Sequence, residues 1–332
     1  MFISVIVPVY NGAAYLSRTL SAIKRSNYRD FELIVTDDAS TDGSLKIAKG
    51  FADIVVESDR RISSGAARNK GAQKSRGDIL FFVDADVEIT PEALSYIASE
   101  FGRNPGVSAF FGSYDDEPSF PGFFSQYKNL FHHFVHQQAN VDAKTFWAGC
   151  GAVRRQAFIN SGGFPETLRS SSIEDVLLGY RLTKLGAKIQ VLKKLQAKHL
   201  KEWGFFDLLS TDILRRAIPW TKLAAKKGLP YDLNFKFADR LSAFCVWALF
   251  FSLIFWNSTP AALFFILAAS LLWLNRRLYV FFVKKRGARF AMAAVLFHWS
   301  YLFYSSLVFA VFLIFYKVRG SFGAKRDIFS LE

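Results

Sequence analysis

Cysteine is nearly absent from the 332 residues: Cys150 and Cys245 are the only two. Two thiols so far apart and so differently placed exclude a disulfide framework and fit a reducing compartment. The amino terminus lacks a basic n-region and a small-residue cleavage site, and its apolar run, Phe2 to Val9, is only strand length. The expectation is that nothing exports the amino-terminal part, which is placed in the cytoplasm. Acidic residues are in deficit, with 28 Asp and Glu against 42 Lys and Arg, a formal net charge of +14. Such a charge points to polyanions, as phosphates in a site or as an anionic membrane surface. No clustered basic helix or aromatic RNA-binding motif accompanies it, so nucleic acid is not an expected partner. A Gly-x-Gly-x-x-Gly fingerprint is also missing after the first strand-like run, where the chain reads Tyr10-Asn11-Gly12-Ala13-Ala14. A dinucleotide-dependent dehydrogenase is set aside on that ground.

What is present changes character along the chain. Residues 1–236 read as a soluble α/β domain, and 237–332 as a Phe-, Leu- and Ala-rich region with a basic tail. In the first part, short β-branched or aromatic runs (Ile3 to Val9, Glu32 to Thr36, Ile54 to Val56, Ile79 to Val83) alternate with amphipathic ones. The latter are Ala13 to Ser26, Ser44 to Phe51, Ala66 to Ser75 and Pro91 to Phe101, the last with Thr90 as its expected N-cap. This alternation predicts a mostly parallel, Rossmann-like sheet flanked by helices, with ligands at the carboxyl ends of its strands.

Those ends carry polar groups. The apolar run Ile79 to Val83 stops at Asp84-Ala85-Asp86; if the chain stays extended there, both carboxylates face one side. They would repel unless a hard divalent cation sat between them, although two turn-forming aspartates account for the spacing equally well. The first run leads into Tyr10-Asn11-Gly12, and the second into Asp37-Asp38-Ala39-Ser40-Thr41-Asp42-Gly43. Three neighbouring strands with ligand-competent groups on one edge are more than turn chemistry requires.

Pro8-Val9-Tyr10-Asn11-Gly12, Asp37-Asp38 with Ser40 and Asp42-Gly43, Gly65-Ala66-Ala67-Arg68-Asn69-Lys70-Gly71 and Asp84-Ala85-Asp86, in that order and spacing, resemble the family 2 inverting glycosyltransferases of GT-A fold, over roughly residues 1–230. The resemblance implies that Pro8, Tyr10, Asn11 and Asp38 meet the nucleotide, with Asp37 and Arg68 nearby. It implies Asp84 at the ribose, and Asp86 on a Mg or Mn ion at the diphosphate. A stacking ring and a carboxylate suit base recognition, and a cation suits a leaving diphosphate that gains charge. Glu174-Asp175 before Gly179-Tyr180-Arg181-Leu182 resembles the family's base motif, with Asp175 as general base and Glu174 holding structure or touching the acceptor. Helix-dipole preference alone would explain two acids in a first turn capped by Ser172. Phe146 to Gly151 resembles the small-residue strand under the sugar, where Gly149 lets backbone approach the ligand. His199 falls where the family often has a metal or diphosphate contact.

Other features are read more plainly. Ser161-Gly162-Gly163-Phe164 is a Gly stop for a short helix. His132 and His136, four apart, could form a zinc pair but lack a third ligand; with His133 they read better as part of an amphipathic helix under the acceptor. Asp212 to Trp220 lacks the Gln-x-x-Arg-Trp of processive relatives, which favours a single transfer. The stretch 203–229 mixes aromatics with Arg215, Arg216 and Lys222, as an interfacial region on anionic lipid does.

Leu241 to Trp256 and Ala261 to Leu274 are each short of a ~30 Å hydrocarbon core at ~1.5 Å per residue, and predict a helical hairpin around Asn257 to Pro260. Ala291 to Tyr316 has no formal charge and can span with tilt. The basic loop expected between them, Arg276 to Arg289, faces the cytoplasm by the positive-inside rule, whereas the tail with Lys325 and Arg326 then falls on the wrong side. The functional expectation is a multi-pass, cytoplasmic or inner-membrane enzyme of cell-envelope glycan biosynthesis. It moves one sugar from a nucleotide-diphosphate sugar to a lipid or lipid-linked acceptor. The alternatives are a non-catalytic nucleotide-sugar-binding membrane subunit and a transferase acting on a soluble glycan.

Overall fold

In the computed structural model, residues 1–166, 172–227 and 237–320 are described. The chain divides into two compact units, Met1–Trp203 and one beginning at Gly204. The basic tail with Lys325 and Arg326 lies outside the described residues, as do 228–236.

The first unit is built on β1 (Ile3–Val9), whose seven residues are all buried. A strand covered on both faces is largely apolar, which its Ile and Val satisfy, and its one polar side chain, Ser4, is paired with Glu32 and Gly77 N. It pairs in parallel with β2 (Phe31–Asp37) and β4 (Ile79–Val83), Ile3 lying opposite both Phe31 and Ile79. β3 (Ile54–Glu57) adds in parallel outside β2. Between them run α1 (Ala13–Lys24), α2 (Ser44–Phe51) and α3 (Ser64–Lys74). The remaining strands are β5 (Val87–Ile89), β6 (Val107–Tyr114), β7 (Asp142–Ala143), β8 (Cys150–Arg154) and β9 (Lys188–His199). They are joined by α4 (Ala93–Arg103), α5 (Phe123–Gln137), α6 (Arg155–Asn160) and α7 (Glu174–Lys184). The sheet order is β3-β2-β1-β4-β8-β6-β9-β5, with β7 beside β9.

The sheet is mixed rather than continuously parallel. β8 runs antiparallel to both β4 and β6, and β9 antiparallel to β5. The βα alternation does not continue past β4, because β5 follows it after the short turn Asp84-Ala85-Asp86 instead of a helix. One expected cap is replaced, and one expected strand begins later. Ala93 donates to the Thr90 carbonyl in a turn, so α4 begins after Glu92 and Thr90 does not cap it. β8 begins at Cys150, so Phe146 to Gly149 form the loop that enters the strand and not the strand itself.

The second unit starts with α8 (Phe205–Ser210), a π-helical segment Thr211–Ala217 and α9 (Ile218–Lys227). Phe206 and Leu214 are largely exposed, and buried Asp212 accepts a bond from the Tyr304 hydroxyl at 3.0 Å. α10 (Phe237–Ile254) and α11 (Ala261–Leu274) flank a short 3-10 turn and pack through Cys245, Val246, Leu249 and Leu271, the expected hairpin. α12 (Arg276–Gly320) replaces the expected basic loop with helix, broken where Gly287 takes φ 81°. Its charges had suggested a loop, but Leu278, Tyr279 and Phe282 are spaced to bury one face. α10 and Arg276–Val318 are long and apolar enough to cross a membrane; α11 is shorter.

Candidate active site

The carboxyl ends of β1, β2 and β4 meet along one edge, as parallel registry requires. After β1, Asn11 adopts φ 50°, a left-handed conformation that asparagine tolerates. Its carboxamide oxygen accepts from Thr41 N at 2.8 Å, its own N–H donates to Ser40 Oγ at 3.0 Å, and Ala13 N donates to Asp42 Oδ2 at 3.0 Å. The first and second motifs are thereby laced together. Pro8 is buried within the sheet opposite Thr36, whereas Tyr10 projects with 41% exposure. Over the Tyr10 ring lies the Arg61 guanidinium, 4.1 Å from the centroid, a contact that no motif announced.

Asp37 and Asp38 are both buried and behave differently. Both Asp38 oxygens accept backbone N–H groups, from Ile62 at 2.6 Å and Ser63 at 3.2 Å, so this carboxylate pins the loop that carries Arg61. Asp37 accepts from Ser40 N at 3.0 Å through Oδ2, while its Oδ1 is buried with no hydrogen-bond partner.

At the end of β4 the chain turns at once: Val87 N donates to the Asp84 carbonyl at 3.0 Å. Asp84-Ala85-Asp86 is therefore a tight turn and not the extended run that would place both carboxylates on one face. The two still feel one another. Burial raises Asp84 above the usual range; Arg68 pulls it down, and the Asp86 charge pushes it further up. Asp86 is lower than usual, since His199 and Lys201 outweigh the burial that would raise it. The Asp86 Oδ2 lies 3.4 Å from His199 Nε2, because β9 pairs with β5 and sets His199 opposite Val87.

Arg68 joins the halves of the site. Its buried guanidinium contacts Asp84 Oδ1 at 2.6 Å and Glu174 Oε1 at 3.2 Å. Glu174 accepts further bonds from Ser64 Oγ at 2.5 Å and Ser172 N at 2.6 Å. Ile173, not Ser172, occupies the N-cap of α7; the Glu174 side chain reaches back to the Ser172 amide, so the capping runs opposite to expectation. These partners hold the Glu174 carboxylate in place between Arg68, Ser64 and Ser172. Asp175 beside it accepts from Val176 N at 2.8 Å and Ala148 N at 3.4 Å. Burial, and then the Glu174 charge, push it up to about 7. An acid poised there can take a proton near neutrality.

Gly149 fits the site for a different reason from the one expected. A Cβ there would stand 2.6 Å from the Trp147 indole, so the glycine makes room for that ring, and its carbonyl accepts from Asp84 N at 3.2 Å. Trp147 packs against Tyr114, His132 and His136. His133 and His136 bond the Tyr114 and Gly112 carbonyls through Nδ1, which ties α5 to β6. Among the described residues no group of three or more His, Cys, Asp or Glu is arranged to hold a metal. Asp86 and His199 are a two-ligand set, which suits a cation whose other positions are filled by phosphate oxygens and water. Residues that the sequence did not single out are Arg61, Ser64, Asn129, Tyr114 and Trp147. Of these, Ser64 adjoins the Gly65 to Gly71 motif, Trp147 lies within Phe146 to Gly151, and Asn129 stands one turn before His133 on α5.

Residues 4–162 match the family model described as Glycosyl transferase family 2. It is similar to validoxylamine A glucosyltransferase of Streptomyces hygroscopicus subsp. jinggangensis, with 26% identity over 58% of this chain and 54% of that one. It is also similar to glycosyltransferase AglE of Haloferax volcanii, with 40% identity over 26% of this chain and 30% of the relative. The chain thus spans about half or less of these curated relatives. Among solved structures it resembles mannosyltransferase PcManGT from Pyrobaculum calidifontis in complex with GDP-Man and Mn2+. That match has TM-score 0.51 and 17% identity over 97% of this chain and 88% of that one. S. aureus TarS 1-349 in complex with UDP-GlcNAc matches with TM-score 0.52 and 18% identity over 100% and 95%. At such identities the likeness shows the shared GT-A fold.

Proposed function

We propose that the chain is a membrane-bound inverting glycosyltransferase that moves a single sugar from a nucleotide-diphosphate sugar to a lipid or lipid-linked acceptor. The observation that carries this is the Arg68 guanidinium held between Asp84 at the end of β4 and Glu174 at the start of α7. One buried cation brings the donor-side turn and the acid-bearing helix to the same place.

In this reading the half-exposed Tyr10 ring takes the base by stacking, and Arg61, which covers that ring, supplies positive charge beside it. Asp37 offers its open oxygen to a base or ribose donor, and Asp38 fixes the loop they depend on. Asp86 and His199 hold a divalent cation, which when bound neutralises the charge that collects on the departing diphosphate. Asp175 removes the proton from the acceptor hydroxyl while that oxygen attacks the anomeric carbon opposite the leaving group. The new C–O bond forms as the bond to the diphosphate breaks, and the configuration inverts. Glu174 keeps Arg68 and the opening of α7 in position.

The membrane part of the reading rests on α10 and α12, which are long and apolar enough to span. It rests also on the exposed Phe206 and Leu214 next to Arg215 and Arg216. An anchor confines enzyme and lipid acceptor to two dimensions and raises their effective concentration. With the catalytic unit on the cytoplasmic face, soluble nucleotide sugars are at hand. The test is to incubate full-length protein in nanodiscs with radiolabelled UDP-, GDP- or dTDP-sugars, offering membrane lipid extract or soluble glycans as acceptor. Label entering the lipid phase supports the reading. Label entering soluble glycans alone removes the lipid acceptor, and donor binding without any transfer makes the chain a non-catalytic subunit.

A further inference from the structure

Asn129 belongs to no motif of the donor site, yet it is buried beside it, with only 2% of the residue exposed. Its carboxamide oxygen lies 2.9 Å from Nδ1 of His199. The ring has little freedom to turn away. Tyr114 stacks on it with centroids 4.3 Å apart and planes 17° apart, and the strand pairing with Val87 fixes its backbone. Just beyond, Leu200 N donates to the Asp86 carbonyl at 2.8 Å. Ring and carboxylate are therefore held face to face, with His199 Nε2 3.4 Å from Asp86 Oδ2.

Proton placement follows from that geometry. A carboxamide oxygen only accepts, so the hydrogen between it and the ring belongs to Nδ1. In the neutral imidazole the proton on Nδ1 leaves a lone pair on Nε2, and this lone pair points at a carboxylate oxygen. Two electron-rich atoms so placed need an electrophile between them, either a second ring proton, which makes the pair an ion pair, or a metal ion that takes the place of that proton. We infer that Asn129 is a positioning residue which holds His199 in the Nδ1–H tautomer, so that Nε2 and Asp86 together present two lone pairs to a divalent cation. Were the amide turned to donate through its NH2 group, the proton would sit on Nε2 and His199 would bond Asp86 without any ligand capacity. The orientation of one buried amide thus decides whether the histidine is a metal ligand or a hydrogen-bond donor. This inference rests on the reading of Asp86 and His199 as the cation's protein ligands.

The experiment separates the two. Mn2+ binding to the full chain in detergent is measured by electron paramagnetic resonance, with UDP or GDP present, for wild type, Asn129→Leu, Asn129→Asp, Asp86→Ala and His199→Ala. Asn129→Leu keeps the volume but has no acceptor, and is expected to weaken Mn2+ binding by about 10- to 100-fold. Asn129→Asp keeps an acceptor toward Nδ1 and is expected to bind about as tightly as wild type. If Asp86→Ala and His199→Ala abolish binding while Asn129→Leu binds as wild type does, this inference is overturned and the cation site survives. If Asp86→Ala and His199→Ala leave binding unchanged, the cation reading itself fails and takes the inference with it. A second measurement needs no variant at position 129. In protein labelled with 15N-histidine, at a pH where the ring is neutral and with the His199 signals assigned through His199→Gln, the metal-free ring is expected to carry its single proton on Nδ1. A proton on Nε2 overturns the inference even if Asn129→Leu fails to fold.

Discussion

Replacing Asp175 by asparagine should destroy transfer and at the same time stabilise the protein above neutral pH. The carboxyl titrates at about 7 against an ordinary 3.8, chiefly through burial and then through the Glu174 charge. A carboxyl whose folded value lies above its unfolded one binds its proton more tightly in the fold. The associated stability is complete below about 4 and is lost as pH rises through about 7. A rise of that size corresponds to roughly 4 kcal/mol as an upper bound. Solvent reaching the half-buried side chain reduces that, and about 1–2 kcal/mol at pH 8 is the working expectation. The substituted amide has no charge to bury, so the variant should melt higher than wild type at pH 8 and no higher at pH 4. The same substitution removes the proposed base, for which a loss of about 10²–10⁴-fold in kcat is expected, with donor affinity unchanged. Wild-type kcat/KM should rise with pH through an apparent value near 7 and then level off. The assays are a pH–rate profile with labelled donor, thermal unfolding at both pH values and isothermal titration with donor. A variant that keeps more than a tenth of wild-type turnover, or melts lower at pH 8, would refute the reasoning.

Arg61→Ala removes the guanidinium from the Tyr10 ring and should weaken UDP or GDP binding roughly 2- to 5-fold, measured by titration calorimetry, since such contacts contribute about 0.5–1 kcal/mol when exposed. Gly149→Ala puts a methyl 2.6 Å from the Trp147 indole. It should cost about 1–3 kcal/mol, read from denaturant unfolding, together with slower transfer because the same loop supplies the Ala148 amide to Asp175. Arg68→Met strips the buried partner from both Asp84 and Glu174 and should destabilise the first unit by about 3–5 kcal/mol, against the ~1 kcal/mol typical of surface substitutions. Chelation should abolish transfer, and Mn2+ should restore it better than Mg2+, because imidazole is a poor partner for magnesium.

How far the sequence could be read depended on whether the signal was local. β1, β4 and α2 were legible to the residue, because a fully buried strand is largely apolar and a short amphipathic helix has one buried stripe. The caps were less legible. Thr90 and Ser172 are good capping residues, but a turn at Pro91 and the reach of Glu174 back to Ser172 N displaced them. The charges of Arg276 to Arg289 suggested a loop where helix forms, since the buried face of Leu278, Tyr279 and Phe282 outweighs them. The motif carboxylates were legible as a set, but not their partners. Nothing in the sequence says that Asp38 spends both oxygens on Ile62 and Ser63, or that Asn129 stands behind His199. Those contacts join residues 24 to 70 positions apart, and only the sheet order brings them together.

Charge balance gives the cation reading a footing that does not depend on resemblance. Asp84, Glu174 and Asp175 surround one buried guanidinium, which bonds Asp84 and Glu174, and Asp86 adds its charge beside Asp84. A nucleotide-diphosphate sugar adds further negative charge to this edge, and like charges in a partly desolvated site repel strongly. Two features already lessen the repulsion: Asp175 holds its proton for part of the time near neutrality, and Lys201 lies near enough to lower Asp86. Neither can suffice in the reactive complex. Asp175 must be ionised to act as the base, and that adds a charge at the moment when the diphosphate also gains one. The base and the leaving group therefore make opposite demands on the same small volume unless positive charge enters with the donor. A divalent cation held by Asp86 and His199 would meet both demands, since its charge would offset the phosphates and favour the ionised form of Asp175. Donor and metal should accordingly bind with positive coupling, each tightening the other by the same factor.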